Sequence, residues 1–208
     1  MPLYKIINDG ENQLLIWKIE ESIEELQRNN PLKVYSQNRL YQMKSVSHQK
    51  GFLAVRKILN HLHLNDYDLF YDEKGKPQLT TSQHISISHS FDFAVILLSN
   101  KNCGVDIEIQ KEKILKIGPR FCNEPHLNEN YFNEVERIKK YTIAWGIKES
   151  IFKIKNIEGI SFPEHIFVNP FQLEDIRVNA TLNFNNLTEH YEAKHIDIDG
   201  YSLVWIVL

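Results

Sequence analysis

The sequence predicts an α+β protein built as two similar halves. Three observations carry this. Two long segments, Lys33 to Leu64 and Glu134 to Lys155, have helical periodicity. Short alternating or continuously apolar runs, which read as strands, lie on both sides of each. Finally, HISISHSFDFAVILL, His84 to Leu98, is similar to HIDIDGYSLVWIVL, His195 to Leu208. Both read as an alternating strand, a turn and a buried strand, about 110 residues apart, which suits a duplicated half better than a solenoid. Chance similarity of two hairpins is the rival reading, and the matching order of elements favours duplication. The halves are expected at residues 1–102 and 103–208.

In chain order, Leu14 to Ile19 reads as a strand. SIEELQ opens with Ser22 and has Glu25 three residues on, a capping box. Within Lys33 to Leu64, Phe52, Val55, Leu59 and Leu62 recur at helical spacing. Tyr71 to Leu79 is a turn between short extended pieces, with Gly75 supplying freedom and Pro77 holding Lys76 extended. His84 to Ser90 and Phe93 to Ser99 are strands. The segment Gln110 to Asn133 looks variable and offers a short helix, KEKILKI, which Gly118-Pro119 must stop or kink. In the second long helix Ile143, Ile147, Ile151 and Ile154 fall within about 80° of one another, with Trp145 and Phe152 opposite, so two faces should be buried. The tail, IFVNP, RVNATLNF, HYEAKHIDI and YSLVWIVL, is β-rich.

With 42% apolar and 25% charged residues in 208, the chain can bury a core. A net charge of −3 draws it neither to nucleic acid nor to anionic lipid. Cys103 and Cys122 make no disulfide framework or metal spacing. The opening residues lack a signal-peptide pattern and no run is apolar enough to span a membrane, so a cytoplasmic protein is expected.

Chemistry concentrates in two motifs. In GVDIE, Asp106 and Glu108 alternate with aliphatic residues on a strand, so both acids share a face. A solvent-facing edge strand is the plain reading; a hard cation that relieves the repulsion, such as Mg²⁺ completed by a phosphate ligand, is the functional one. In WGIKESIFK, Glu149 lies among aromatics on a helix apolar on two sides, where a carboxylate needs a partner. Lys153, one turn on, would make an ordinary surface pair. Together, Asp106, Glu108, Glu149, Lys148 and Lys153 suit metal-plus-phosphate chemistry. His89, between Ser88 and Ser90, fits anion contact better than a nucleophilic serine, because neighbours on a strand face opposite ways and no G-x-S-x-G elbow is present.

Taken in order, GKP (Gly75 to Pro77), ISISHS (Ile85 to Ser90), GVDIE and WGIKES with Lys153 resemble the 4′-phosphopantetheinyl transferases, in their larger pseudo-dimeric class. LAVRKIL (Leu53 to Leu59) and Arg120-Phe121 extend the likeness. Each motif alone is unspecific, but the two acid motifs, roughly 40 residues apart, are specific together.

The resemblance implies two α+β halves, each a small antiparallel sheet on a long helix, with coenzyme A in the cleft between them. The reaction it implies moves the phosphopantetheine arm of coenzyme A to a serine of an apo acyl or peptidyl carrier protein, leaving 3′,5′-ADP. Asp106, Glu108 and Glu149 match the acids that bind Mg²⁺, with Mn²⁺ left open. Glu149 becomes the candidate base, Lys153 the stabiliser of the leaving phosphate, and Lys148 its assistant. Lys76, Pro77, Ser88 and His89 match positions that hold coenzyme A. Arg56 joins Lys33, Lys44, His48 and Lys50 as candidates for its 3′-phosphate. Lys111, Lys113, Lys116 and Arg120 suit docking of an acidic carrier, although Gly118-Pro119 interrupts the helix expected there. Two halves in one chain imply a monomer. The rivals are another metal-dependent phosphate enzyme, such as a nuclease, and a catalytically silent relative that only binds coenzyme A or a carrier.

Overall fold

A computed structural model describes residues 3–128 and 133–208. Residues 129–132, inside the segment read as variable, lie outside the described residues, as do residues 1–2. The chain divides into two compact units, Met1–Asn102 and Cys103–Leu208.

The first unit opens with a hairpin that the sequence reading did not assign in full. β1 (Leu3–Asp9) pairs with β2 (Asn12–Lys18) across a turn at Gly10. α1 (Ile23–Gln27) carries the expected capping box: Ser22 Oγ accepts from the Glu25 backbone N–H at 3.2 Å and Glu25 Oε2 accepts from that of Ser22 at 2.8 Å. The region predicted as one long helix is two, α2 (Val34–Gln42) and α3 (Val46–His61). The break has a local cause, since Ser45 caps α3 by accepting from His48 N–H. It also has a tertiary one. Buried Asp66 holds the start of α2 through the Lys33 backbone N–H and Ser36 Oγ, and holds α3 through Arg56 Nε at 2.9 Å.

β3 (Leu69–Tyr71) and β4 (Pro77–Leu79) form a small ribbon around the predicted turn. β5 (His84–Ser90) and β6 (Phe93–Ser99) form the next hairpin. The main sheet runs β1-β2-β6-β5, antiparallel throughout. α3 lies on it, with Phe52, Leu53, Val55 and Leu59 buried against Leu15, Trp17, Ile85, Ile96 and Leu98.

The second unit starts with β7 (Cys103–Ile109). α4 (Lys113–Ile117) runs into a 3₁₀ turn at Gly118–Arg120, so Gly118-Pro119 does end the short helix. A second 3₁₀ turn, Pro125–Asn128, precedes α5 (Glu134–Lys155), capped reciprocally by Asn133 and Glu136. α5 is buried on more than one face. Ile143, Ile147, Ile151 and Ile154 enter the core, while half-buried Trp145 packs edge-on to Phe121 at 4.8 Å. α6 (Phe162–His165), β8 (Ile166–Val168), β9 (Arg177–Phe184), β10 (Leu187–Ile198) and β11 (Tyr201–Val207) follow. The sheet order is β7-β11-β10-β9-β8, also antiparallel. The β10–β11 turn has positive φ at both Asp199 and Gly200, the conformation that Asp-Gly favours in a two-residue hairpin.

The two units share an internal order. In each, the strand before the long helix pairs with the second strand of the hairpin after it, giving β2-β6-β5 in one and β7-β11-β10 in the other. Among the described residues no helix is long and apolar enough to cross a membrane.

Candidate functional site

The acid motifs meet because α5 lies directly on β7 and β11. A Cβ at Gly104 would stand 2.1 Å from the Ser150 carbonyl oxygen, so helix and strand backbones are in contact there. A Cβ at Gly146 would stand 2.7 Å from Val204 Cγ2 and 3.8 Å from Asp106 Oδ2. The glycines of GVDIE and WGIKES thus set how close the helix comes to the strand. Gly104, Asp106 and Glu108 share the strand face that looks toward α5.

Asp106 is buried, 3% exposed, and its Oδ1 accepts from Lys153 Nζ at 2.8 Å. The same ammonium donates to the Val105 carbonyl at 2.8 Å. Glu149, one turn before Lys153, is half-buried. Burial pushes its carboxyl above the usual carboxylate range, the nearby Asp106 charge pushes it further, and Lys153 opposes both. Asp106, Glu149 and Lys153 therefore form one electrostatic group. The surface pair expected between Glu149 and Lys153 is replaced by a bond from Lys153 across to the strand.

Glu108 lies on the same face as Asp106, about 7 Å further along the strand. It is half-buried and opposite Ser202. Among the described residues no three His, Cys, Asp or Glu side chains converge tightly enough to cage an ion. The donor chemistry still fits a hard cation. Mg²⁺ uses one or two carboxylates and keeps waters, and Asp106 and Glu149 offer two desolvated carboxylates beside each other.

Lys148 does not join this group. It is fully buried, with its ammonium 2.7 Å from Glu124 Oε1 and donating to the carbonyls of Ile166 at 2.6 Å and Phe162 at 3.2 Å. Glu124 Oε1 also accepts from the Val168 backbone N–H. Lys148 therefore ties α5 to α6 and β8. On an α-helix at ~100° per residue, Glu149 and Lys153 lie about 40° apart, whereas Lys148 is about 140° from Lys153. That spacing was the available signal against the assisting role assigned to Lys148. Glu124, the partner the sequence reading missed, stands in a segment without periodicity and left no signal.

The first unit holds the residues matched to coenzyme A. His89 projects from β5 against α3, where a Cβ on Gly51 would meet its ring at 2.6 Å. The His48 ring lies 6.0 Å from it, centroid to centroid. Ser88, the neighbour on β5, is buried on the opposite face. Lys76 bonds Asn102 Oδ1 through its ammonium at 2.8 Å and Asp72 Oδ1 through its backbone N–H at 2.9 Å, while Pro77 begins β4.

Arg56 is placed differently from the ligand-binding expectation. It is 2% exposed, paired with Asp66, bonded to the Phe52 carbonyl and stacked 3.5 Å over the Phe52 ring. A guanidinium so enclosed fastens α3 to the segment before β3. Lys33 is likewise committed to the Leu69 carbonyl. Of the basic candidates, His48 and Lys44 are exposed and Lys50 is half-buried.

No protein-family model matches the chain. Curated relatives do, among them these three. The 4′-phosphopantetheinyl transferase gsp of Aneurinibacillus migulanus is 27% identical over 146 residues, 67% of this chain and 58% of the relative. The 4′-phosphopantetheinyl transferase ffp of Bacillus subtilis is 28% identical over 163 residues, 74% of this chain and 70% of the relative. The 4′-phosphopantetheinyl transferase Sfp of Bacillus subtilis (strain 168) is 27% identical over 119 residues, 54% of this chain and 53% of the relative. The match thus spans a little over half the length of two of the three. The family these names share, the 4′-phosphopantetheinyl transferases, is the one that the paired acid motifs resemble.

Proposed function

We propose that the chain is an Mg²⁺-dependent, cytoplasmic transferase that moves 4′-phosphopantetheine from coenzyme A to a serine of an apo acyl or peptidyl carrier protein. The observation that carries this is the Asp106–Glu149–Lys153 group: two coupled, partly desolvated carboxylates with an ammonium at hydrogen-bond distance. A bound Mg²⁺ would neutralise charge on the pyrophosphate and polarise its phosphoryl group.

The residues then divide the work. Asp106 and Glu149 would hold the cation, and Glu108 would contribute from the same strand face. Glu149 takes the proton of the carrier serine. The serine oxygen bonds to the phosphorus that bears pantetheine, and the bond from that phosphorus to the bridging oxygen breaks. The electron pair leaves on 3′,5′-ADP, whose charge Lys153 meets. In the first unit, Lys76, Pro77, Ser88 and His89 hold coenzyme A, with His48 beside His89 replacing Arg56 as the candidate 3′-phosphate contact. Exposed Lys111, Lys113, Lys116 and Arg120 attract an acidic carrier.

Intact-protein mass spectrometry of several apo carriers, incubated with the protein, coenzyme A and Mg²⁺, tests the proposal. The expected result is a gain of one phosphopantetheine on at least one carrier, abolished by EDTA. No gain on acyl or peptidyl carriers, together with no binding of coenzyme A, would overturn it.

A further inference from the structure

We infer that Lys153 is a built-in cation that occupies the acid pair until an anionic ligand draws it off, so that divalent metal and phosphate-bearing ligand enter together. The inference rests on the reading of Asp106 and Glu149 as metal-holding acids. Lys153 Nζ lies 2.8 Å from Asp106 Oδ1 and 2.8 Å from the Val105 carbonyl, so one ammonium takes both acceptors. Its charge also offsets the repulsion that Asp106 exerts on Glu149. An ammonium and a divalent ion both placed on Asp106 would repel each other strongly in so desolvated a spot. With Lys153 on Oδ1 a divalent ion is held more weakly, and more tightly once Lys153 moves.

The two partners differ in freedom. The Asp106 side chain is 4% exposed, fixed on β7 under α5, whereas that of Lys153 is 26% exposed near the end of the helix. A lysine stem is flexible and its ammonium readily exchanges one anion for another. A phosphate group offers that second anion. Once Lys153 turns to the phosphate, Asp106 Oδ1 is released and the carboxylate pair carries two negative charges for a divalent ion. Metal and phosphate then favour each other's binding, and by linkage the coupling is the same in both directions. The assignment of Lys153 to the leaving phosphate and its present bond to Asp106 become two positions of one residue.

The test measures Mn²⁺ binding to the full chain, by electron paramagnetic resonance or calorimetry, without coenzyme A or carrier. Lys153→Gln is expected to bind Mn²⁺ about tenfold more tightly than the wild type, and Lys153→Arg, which keeps the cation, to stay near it. Equal or weaker binding by Lys153→Gln overturns the inference, as does absence of binding in every variant. A second measurement needs no variant. Adding 3′,5′-ADP to the wild type should tighten Mn²⁺ by a similar factor, after correction for ion held by free nucleotide; unchanged affinity overturns the inference. Transfer assays with Mg²⁺ report separately on the proposed function, so either can fail while the other stands.

Discussion

The two units solve the same packing problem with different tolerances. Each lays a long helix on an antiparallel sheet with the same three-strand order, and each has a glycine packed in the helix–strand interface. In the first unit Gly51 makes room for a side chain, the His89 ring at 2.6 Å from the missing Cβ. In the second, Gly104 makes room for backbone, the Ser150 carbonyl at 2.1 Å. The ring can change rotamer, although the His89 Cβ also lies only 3.1 Å away, whereas a carbonyl in a helix cannot move. The acid group therefore sits on the rigid member of the pair and the imidazole on the adjustable one. The proposed roles divide in the same way, with charge placement for chemistry in the second unit and ligand holding in the first.

The largest expected effect breaks this comparison directly. Gly104→Ala should destabilise by about 3 kcal/mol or more, because the clash is with backbone, whereas Gly51→Ala should cost less, about 1–2 kcal/mol, because the His89 ring must change rotamer with its own Cβ and Cγ the nearest carbon atoms. Chemical denaturation of both variants checks this, and equal losses would refute the difference in tolerance.

Next come the two lysines of α5. Lys148→Met leaves Glu124 buried without its ammonium and should cost about 3–5 kcal/mol. Lys153→Met leaves Asp106 buried without its ammonium, offset by the partial exposure of the lysine side, and thermal unfolding should register about 1–3 kcal/mol while transfer falls sharply. Arg56→Met extends the test to the first unit. It strands Asp66 and should cost about as much as Lys148→Met, and coenzyme A binding by the folded fraction should stay at the wild-type level.

The smallest effect is one of pH. Burial raises the Glu149 carboxyl, so the folded state holds that proton more tightly than the unfolded chain does. The stability this contributes is full below the unfolded value of ~4.3 and is lost as pH rises through the higher folded value. Glu149→Gln should therefore gain stability over wild type as pH climbs through that window, and keep the gain above it. Melting temperatures of the two proteins between acid and neutral pH check the sign; parallel curves would show that Glu149 is not shifted.

Much of this was legible in the sequence because it depends on period. The strands His84–Ser90 and Phe93–Ser99, the capping box at Ser22 and the Ile stripe of α5 all follow from alternation or helical spacing. So does the shared face of Gly104, Asp106 and Glu108. What was not legible depends on distant contacts. The break between α2 and α3 is tied to Asp66, and no local pattern predicts that Arg56 and Ser36 converge on it. Lys148 shows the same limit. Its sequence neighbours suggested a place beside Glu149, but its partner Glu124 lies 24 residues upstream, beyond any local pattern.

The central claim is that the Asp106–Glu149–Lys153 group, and not Lys148, carries the chemistry. The most direct measurement compares single-turnover transfer by Glu149→Gln and Lys148→Met with wild type, on one carrier protein, with rates corrected for folded fraction. The account predicts a loss of about 10²–10⁴-fold for Glu149→Gln and a rate near wild type for Lys148→Met. A wild-type rate in Glu149→Gln, or a loss in folded Lys148→Met as large as in Glu149→Gln, would contradict it.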